Sequence, residues 1–507
     1  DNGTFIFNST STLTLNPAIT GSGNVIVHKG TLQALGNNSY TGWTEIDPGA
    51  NFQPCLGNVG QLASSAVTNN GTITFGRQDN AVFTYIGPIT GSGSLRTLAN
   101  NGNVGDVTLT GSNSYTGGTF IGDNQLILGD NSTPGSGAIV GNVQFTNNFL
   151  TVDDNPRTLT FNRVDDFTFA GNITTNFASA QNNRGIVQLN GSAIVTLTGT
   201  NTYASGTVIN AGTLQVGNGG TIGTIGTGQV TDNSALIFNR SDNLTMANTL
   251  SGAGTLMQFG PGSLTLNGDG TGFSGTLSVS NGTVWLNSSN AATYTEVHPG
   301  GTLGGTGTLA EGGEIQVDAG GTLTAGASRS SVGILTVPDI AYIYGNVFIK
   351  LDKSQAQSND KLATVGGQVV NSGTGNTFTV TNIGPALKVG DKFTIFSQPS
   401  SGFASLTVTG AGATWQNHLD TDGSITALTV PLVNTNPPVL QMSVTGNTLN
   451  LAWPTNRYWT LLTNSVGVNA PNSWFPYPGS FSVTNVSIPI NKAGSNVFFR
   501  MVYTNTP

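Results

Sequence analysis

Charge is scarce in this sequence of 507 residues. Only 8 % of positions are Asp, Glu, Lys or Arg, against about 25 % in ordinary soluble chains, so few groups are on hand for acid–base catalysis. The 16 basic residues form no cluster and the formal net charge is −8, which argues against a nucleic-acid partner. Histidine occurs three times. His28, His298 and His418 share no metal-ligand spacing with one another or with Cys55, and read as surface or turn residues. The lone cysteine, Cys55, rules out an internal disulfide framework. It reads as a small buried residue, with an intermolecular bridge as the alternative. No apolar run reaches the roughly 18 residues of a membrane-spanning helix. No secretory leader is visible either, so an extracellular chain of this kind is expected to have lost its leader ahead of Asp1. No G-x-S-x-G elbow, H-E-x-x-H pair or P-loop occurs. Helical periodicity is not sustained anywhere.

Glycine takes up much of the deficit, with 71 residues, and it falls at regular places in a repeated pattern. GSGNVIVHKGTLQALGNNSYTGWTEID begins at Gly21, DVTLTGSNSYTGGTFIGDNQLILGD at Asp106, AIVTLTGTNTYASGTVINAGTLQVGN at Ala193, and GAGTLMQFGPGSLTLNGDGTGFSGTLSVSNGTVWLN at Gly252. Within each, short runs alternate apolar and tolerant residues, as in Val107–Leu109, Val195–Leu197, Leu214–Val216, Leu264–Leu266 and Val284–Leu286. That is the period of a strand with one buried face. Gly, Asn, Asp or Ser closes each run and supplies a tight corner. The Gly-x-Gly openings lie between strands with no helix behind them to receive a phosphate, so they too are corners.

Units that cannot bury a face alone must stack on their neighbours. The turn aromatics Tyr40, Tyr115, Tyr203 and Phe273 are about 75, 88 and 70 residues apart, roughly three coils each if one coil takes about 25 residues. The expected fold is therefore all-β: a parallel β-helix over residues 1–337, in roughly 13 coils and about 65 Å. Broader strands over 338–432 would close it. Asn434 to Pro438, with consecutive prolines, reads as a linker. Residues 439–507 then read as a small antiparallel β-sandwich carrying Trp453, Trp459 and Trp474 together with Tyr458, Phe475, Tyr477, Phe481, Phe498 and Phe499. Those aromatics either pack a core or form a docking or sugar-binding face.

The four repeats resemble the autotransporter-associated β-strand repeat of bacterial passenger domains, whose usual form is close to GxLTLTGxNTYTGGTTINxGTLQ. Residues 106–128 and 193–218 match strongly, and 21–52 and 252–286 moderately. The passage from Gly301 through Ala325-Gly-Ala327, Gly333 to Val337, Asn359 to Leu362 and Gly390 to Phe393 is similar to the stretch that commonly succeeds such repeats in passengers. The resemblance implies a secreted, right-handed β-helix serving adhesion or surface coating. The ending LAWPTNRYWTLLTNS…VFFRMVY is similar to terminal modules of large secreted proteins of Verrucomicrobia and related bacteria. This ending differs from the membrane barrel with which autotransporters end, so general secretion and then assembly or surface attachment is expected in place of self-export.

β-Helices also carry polysaccharide lyases and hydrolases, which need converging carboxylates, with Ca²⁺ and a base or as a carboxylate pair. The best candidate is TVDDNPRTLTFNRVDDFTF, where Asp153-Asp154 and Asp165-Asp166 flank Arg157 and Arg163. The competing reading is two polar turns with local ion pairs. Isolated Asp123 and Asp130 do not make a calcium-binding β-roll.

The function expected is a non-enzymatic extracellular structural protein, a surface fibre or adhesin subunit that associates head to tail, with no cofactor or metal. Thr4, Phe5, Phe7, Leu13 and Leu15 lie on a strand-like opening segment that reads either as a cap or as an open edge for another subunit. Trp453, Trp459 and Trp474 are the expected counterpart or anchor. The partners are a second copy and, as a further option, cell-surface glycans. A carbohydrate-binding or polysaccharide-degrading β-helix is the alternative function, and a passive passenger that does not self-associate is a third.

Overall fold

A computed structural model describes residues 2–57, 60–77, 81–98, 105–122, 125–146, 156–176, 185–309, 312–337, 339–430, 439–453, 459–469, 473–480, 483–490 and 496–503. The chain coils into a parallel β-solenoid of about 14 turns. One long sheet runs from the strand Thr4–Leu15 to Ile173–Asn176, and a second from Phe83–Tyr85 to Gly272–Phe273. A third, from Phe167–Phe169 to Gln368–Asn371, takes over as the first ends, and a fourth spans Asn243–Met246 to Val408–Gly410. Parallel pairing therefore continues well past residue 337. Cross-coil hydrogen bonds link residues 19 apart at Ile19 and Asn38 and 30 apart at Asn142 and Asn172, so the coil length varies around the expected value.

Alternation in sequence becomes stacking in space. Leu214 lies in register with Leu236, Leu236 with Leu256, and Leu256 with Leu277, and all four are fully buried. A leucine fully removed from water contributes about 1.5–3 kcal/mol, so a column of like residues stabilises every coil it crosses. The adjacent column, Val216, Phe238, Gln258 and Val279, tolerates a polar member. The Gln258 amide donates to the carbonyls of Gly260 (2.8 Å) and Gly262 (3.2 Å), which removes the penalty of an unpaired buried amide.

The repeated Asn-x-Tyr corner is an architectural device. Asn113 accepts a hydrogen bond from the Ile89 N–H of the preceding coil (3.0 Å) and donates to the carbonyls of Gly111 (2.8 Å) and Ala138 of the next coil (3.0 Å). Asn38 and Asn201 bridge three coils in the same way, through Ile19, Ala34 and Pro54 and through Ile173, Gly199 and Thr224. Two residues beyond each asparagine a buried tyrosine meets the threonine four positions on: Tyr40 with Thr44 (2.6 Å), Tyr115 with Thr119 (2.6 Å) and Tyr203 with Thr207 (2.9 Å). Burial drives all three phenols up, that of Tyr203 to about 12, so they remain neutral. In the fourth repeat the pair becomes Phe273 and Leu277, both fully buried. Phenol and hydroxyl disappear together.

The apolar core continues into Phe378, Phe396 and Phe403, with ring centroids 5.2–6.3 Å apart. Next to them in the chain the pairing turns antiparallel, among Lys392–Thr394, Thr414–His418 and Ser424–Thr429. Leu419–Asp422 is the single helix among the described residues. Beyond residue 438 the strands Gln441–Thr445, Thr448–Ala452 and Asn485–Pro489 make one small antiparallel sheet. Phe475–Pro476, Trp459–Asn464 and Phe498–Tyr503 make another. The expected linker, Asn434 to Pro438, falls outside the described residues. Cys55 is buried in the solenoid core.

Candidate functional surfaces

The strand Thr4–Leu15 forms parallel pairs with Asn24–Ala34 and with no other described strand. Its outer edge carries no partner strand among the described residues. Phe7 turns into the core and Phe5 and Leu15 pack partly against it, while Thr4 faces out and Ile6 and Leu13 keep 54 % and 38 % of their surface exposed. A long edge with exposed apolar side chains accepts a further strand unless something covers it.

In the terminal sheets Trp453 and Trp459 are only 5 % and 6 % exposed, and Trp453 joins Leu451 and Leu461 in a small core. Trp474 is half-buried, with the Arg500 guanidinium 4.3 Å from its ring centroid. The large apolar side chains these sheets expose are Met442, Val444 and Phe475. Tyr458 and Phe481 lie outside the described residues.

Of the acidic pairs considered for catalysis, Asp153-Asp154 also lie outside the described residues. Asp165 and Asp166 are there, and they diverge. Asp165 accepts two hydrogen bonds of 2.9 Å from Arg163 and one of 3.0 Å from the Gly135 N–H, whereas Asp166 accepts from Ile194 N–H on the next coil (3.1 Å). Arg163 stacks over Phe167 (4.6 Å) and also reaches the Ser136 carbonyl. Fully buried Arg157 donates to the Gly122 carbonyl (3.1 Å). The Arg-x-Asp arrangement recurs. Arg240 pairs with Asp242 (2.9 and 2.7 Å) and donates to the carbonyls of Thr221 (2.7 Å) and Gly223. Each arginine thus pins the corner of the coil before its own, and its carboxylate neutralises it locally. These charges maintain the solenoid.

Lys350 and Asp360 form a wholly buried pair at 2.7 Å. The ammonium also donates to Thr324 Oγ1 (3.2 Å) and the Ala325 carbonyl (2.6 Å), and the carboxylate accepts from the Lys350 and Gly333 N–H groups (2.9 and 3.2 Å). Desolvation pushes the carboxyl up and the ammonium down. All three lysine protons are used, so the pair serves as a polar rivet between coils.

A different arrangement occupies the outer face of the strands Tyr294–Val297, Glu314–Val317 and Ile340–Ile343. Register places Tyr294 beside Glu314, Glu296 beside Gln316, and Gln316 beside Tyr342. His298 and Asp318 form the next pair outward, with ring Nδ1 3.2 Å from Asp318 Oδ2 and Nε2 3.5 Å from Glu296 Oε2. The surrounding carboxylates Glu296, Glu314 and Asp318, with burial as the larger cause, raise the Tyr294 phenol above its usual range. Of the histidines read as isolated in sequence, His298 and His28 are therefore not isolated in space, since His28 likewise meets Asp47. The available signal was the recurrence of VHPGGTL and VDAGGTL, which aligns His298 over Asp318 one coil apart.

Three stretches, residues 103–125, 189–216 and 258–286, match the family model of the passenger-associated-transport repeat. Each contains one of the aromatic corners Tyr115, Tyr203 and Phe273. These stretches are transport repeats of the autotransporter passenger type. The corner at Tyr40 has the same Asn–Tyr–Thr geometry but lies outside the matched transport repeats. Over 191 residues the chain is 31 % identical to the adhesin BmaC autotransporter of Brucella suis biovar 1 (strain 1330). The similarity spans 36 % of this chain and only 5 % of the adhesin. Transport repeats on a parallel solenoid are the arrangement of an autotransporter passenger β-helix, which is what the sequence resemblance implies.

Proposed function

We propose that this chain is a segment of an extracellular, adhesin-type surface protein that acts by contact and performs no catalysis. The observation that carries this reading is the combination of transport repeats with a continuous parallel solenoid, together with the similarity to an adhesin. It is supported by the fate of the charged groups in the described residues, where Arg163–Asp165, Arg240–Asp242 and Lys350–Asp360 are consumed in holding coils together. Displayed on a bacterium that does not otherwise adhere, the chain is expected to raise attachment to host-cell or glycan-coated surfaces. Attachment unchanged from undisplayed controls, or turnover of a polysaccharide, would overturn the proposal.

Head-to-tail self-association is the finer part of the reading, and it rests on the edge of Thr4–Leu15 that carries no partner strand among the described residues. A strand added there satisfies its unpaired backbone groups and covers Ile6 and Leu13. The exposed apolar side chains of the terminal sheets, Met442 and Val444 on one and Phe475 on the other, are the proposed counterpart, and Trp453 and Trp459 are buried within the module. Sedimentation equilibrium of the intact chain should report concentration-dependent association that is lost on deletion of residues 1–15. Association that survives the deletion removes this element and leaves the adhesin reading in place.

Carbohydrate binding is a second reading with its own observation. Tyr294 and Tyr342 line up with Glu296 and Glu314 on one outer face, with exposed Tyr344 directly after the strand that carries Tyr342, the mixture of flat rings and hydrogen-bonding acids that sugar recognition uses. Binding to a glycan array that is abolished by Tyr342→Ala and Tyr344→Ala would favour it.

A further inference from the structure

We propose that Glu296, His298 and Asp318 form a binding site for a divalent transition-metal ion of the zinc type. One ligand atom from each side chain lies within 4.8 Å of the other two. The 3.2 Å between His298 Nδ1 and Asp318 Oδ2 is close to the separation of two ligands around tetrahedral zinc, while Glu296 Oε2 lies 3.5 Å from the opposite ring nitrogen, Nε2. With Zn–N and Zn–O bonds of about 2.0–2.2 Å, neighbouring ligand atoms stand roughly 3.3–3.5 Å apart. To share an ion, Glu296 must swing from the Nε2 side of the ring towards Nδ1, or the ring must turn, within a set of ligand atoms that already lies inside 4.8 Å.

The backbone holds the set in place. His298 directly follows the strand Tyr294–Val297, with its N–H still bonded to the Val279 carbonyl of the preceding coil (3.0 Å), so it keeps the face of Glu296 two residues earlier, and Asp318 is fixed beside it by the ladder that pairs Val297 with Val317. Both ligand-bearing corners close with the same turn, Gly301 N–H to the His298 carbonyl (2.9 Å) and Gly321 N–H to the Asp318 carbonyl (2.8 Å). Gln316 donates to Asp318 Oδ1 at 2.8 Å, which leaves Oδ2 turned to the histidine. Such an outer hydrogen bond is the usual support of a ligating carboxylate.

The local chemistry selects the ion. Two carboxylates bring negative charge, Glu314 adds to it from the neighbouring strand position, and among the described residues no lysine or arginine pairs with Glu296 or Asp318. An imidazole beside carboxylates suits zinc, nickel or copper, whereas calcium and magnesium favour all-oxygen sets. The side chains are 26–32 % exposed, so an ion can enter and water or an external donor can complete its shell. The site is independent of the adhesin proposal. The His28–Asp47 pair at an equivalent corner of an early coil forms no such triad among the described residues and provides an internal control.

The test is isothermal titration of the tag-free full chain with Zn²⁺, with metal content measured after dialysis. One zinc per chain is expected. His298→Ala and Asp318→Asn should each weaken binding at least tenfold, Gln316→Ala should weaken it by about tenfold, and His28→Ala should leave it unchanged. Circular dichroism of every variant checks that the solenoid is intact. Absence of stoichiometric zinc in the wild type, or equal affinity in wild type and His298→Ala, would overturn the assignment. Binding lost in His28→Ala but kept in His298→Ala would overturn it as well.

Discussion

The Tyr115 phenol oxygen lies 2.6 Å from the Thr119 hydroxyl, and both side chains are shut away from water inside a corner of the solenoid. The same pair holds at Tyr40 and Thr44 and at Tyr203 and Thr207, and both polar groups vanish at Phe273 and Leu277. The bond exists to satisfy two groups that burial would otherwise leave unpaired. Tyr115→Phe should cost about 1–3 kcal/mol by stranding the threonine hydroxyl. The double substitution Tyr115→Phe, Thr119→Leu, which copies the fourth repeat, should cost less than the single. Urea midpoints of the wild type and both variants check this.

Corner glycines carry a steric constraint. A Cβ on Gly171 would stand 1.9 Å from the Gly141 carbonyl oxygen, and one on Gly199 would stand 2.1 Å from that of Gly171. Backbone stacks on backbone there. Gly171→Ala should destabilise by about 1–3 kcal/mol, the range for overpacking a tight site. Gly135→Ala is its comparator, because a Cβ there meets nothing within 4 Å and the cost is confined to its positive φ of 78°.

Removing one member of the buried pair should cost more than removing both charges. Lys350→Met leaves the Asp360 carboxylate unpaired at a position with no solvent access, a loss of about 3–5 kcal/mol. Adding Asp360→Asn withdraws that charge while keeping an oxygen for the N–H donors. The double variant should therefore be more stable than Lys350→Met alone in thermal unfolding.

Asp232 should make stability fall as pH rises. Its side chain is fully buried, with one oxygen accepting from Ser234 N–H (3.1 Å) and the other without a partner, and desolvation raises its pKa from 3.8 to about 7. The folded state therefore holds a proton that the unfolded state releases. The stabilisation is complete below the unfolded value and declines until the pH passes about 7, with a span of roughly 4 kcal/mol at most. Asp232→Asn should flatten this slope and unfold at a higher urea concentration than wild type at pH 8. Parallel pH profiles for the two chains would argue against the shift.

The solenoid was legible in sequence because period two and coil period are local signals. Leu214–Val216 and Leu264–Leu266 alternate as strands should, and Tyr40, Tyr115 and Tyr203 recur at corners that share one Asn–Tyr–Thr arrangement. The meeting of Lys350 with Asp360 was hidden, and that of His298 with Asp318 showed only in the recurrence of VHPGGTL and VDAGGTL. Paired strands are separated by as little as 18 residues (Thr276 to Tyr294) and as much as 33 (Gln125 to Thr158), so separation alone does not pair His298 with Asp318, and Lys350 meets Asp360 only 10 residues on. Trp453 and Trp459 were ambiguous for another reason, since an aromatic-rich module reads alike whether its rings point in or out. Asp165 and Asp166 show a similar limit. They sit in the bend between Arg157–Phe161 and Phe167–Phe169, where the chain turns one carboxylate back to Arg163 and the other to the Ile194 N–H of the next coil.

The central claim is that successive strands stack one coil at a time along a common axis. Register places Gln215, Ile237, Met257, Ser278, Glu296, Gln316, Tyr342 and Val370 in a single column. Spin labels placed at Gln215 and, in turn, at Glu296, Tyr342 and Val370 measure that column by pulsed electron resonance, with buried Cys55 unlabelled. At about 4.8 Å per coil, backbone separations of roughly 19, 29 and 34 Å are expected. A distance that stops growing along the series, or falls, would contradict the account.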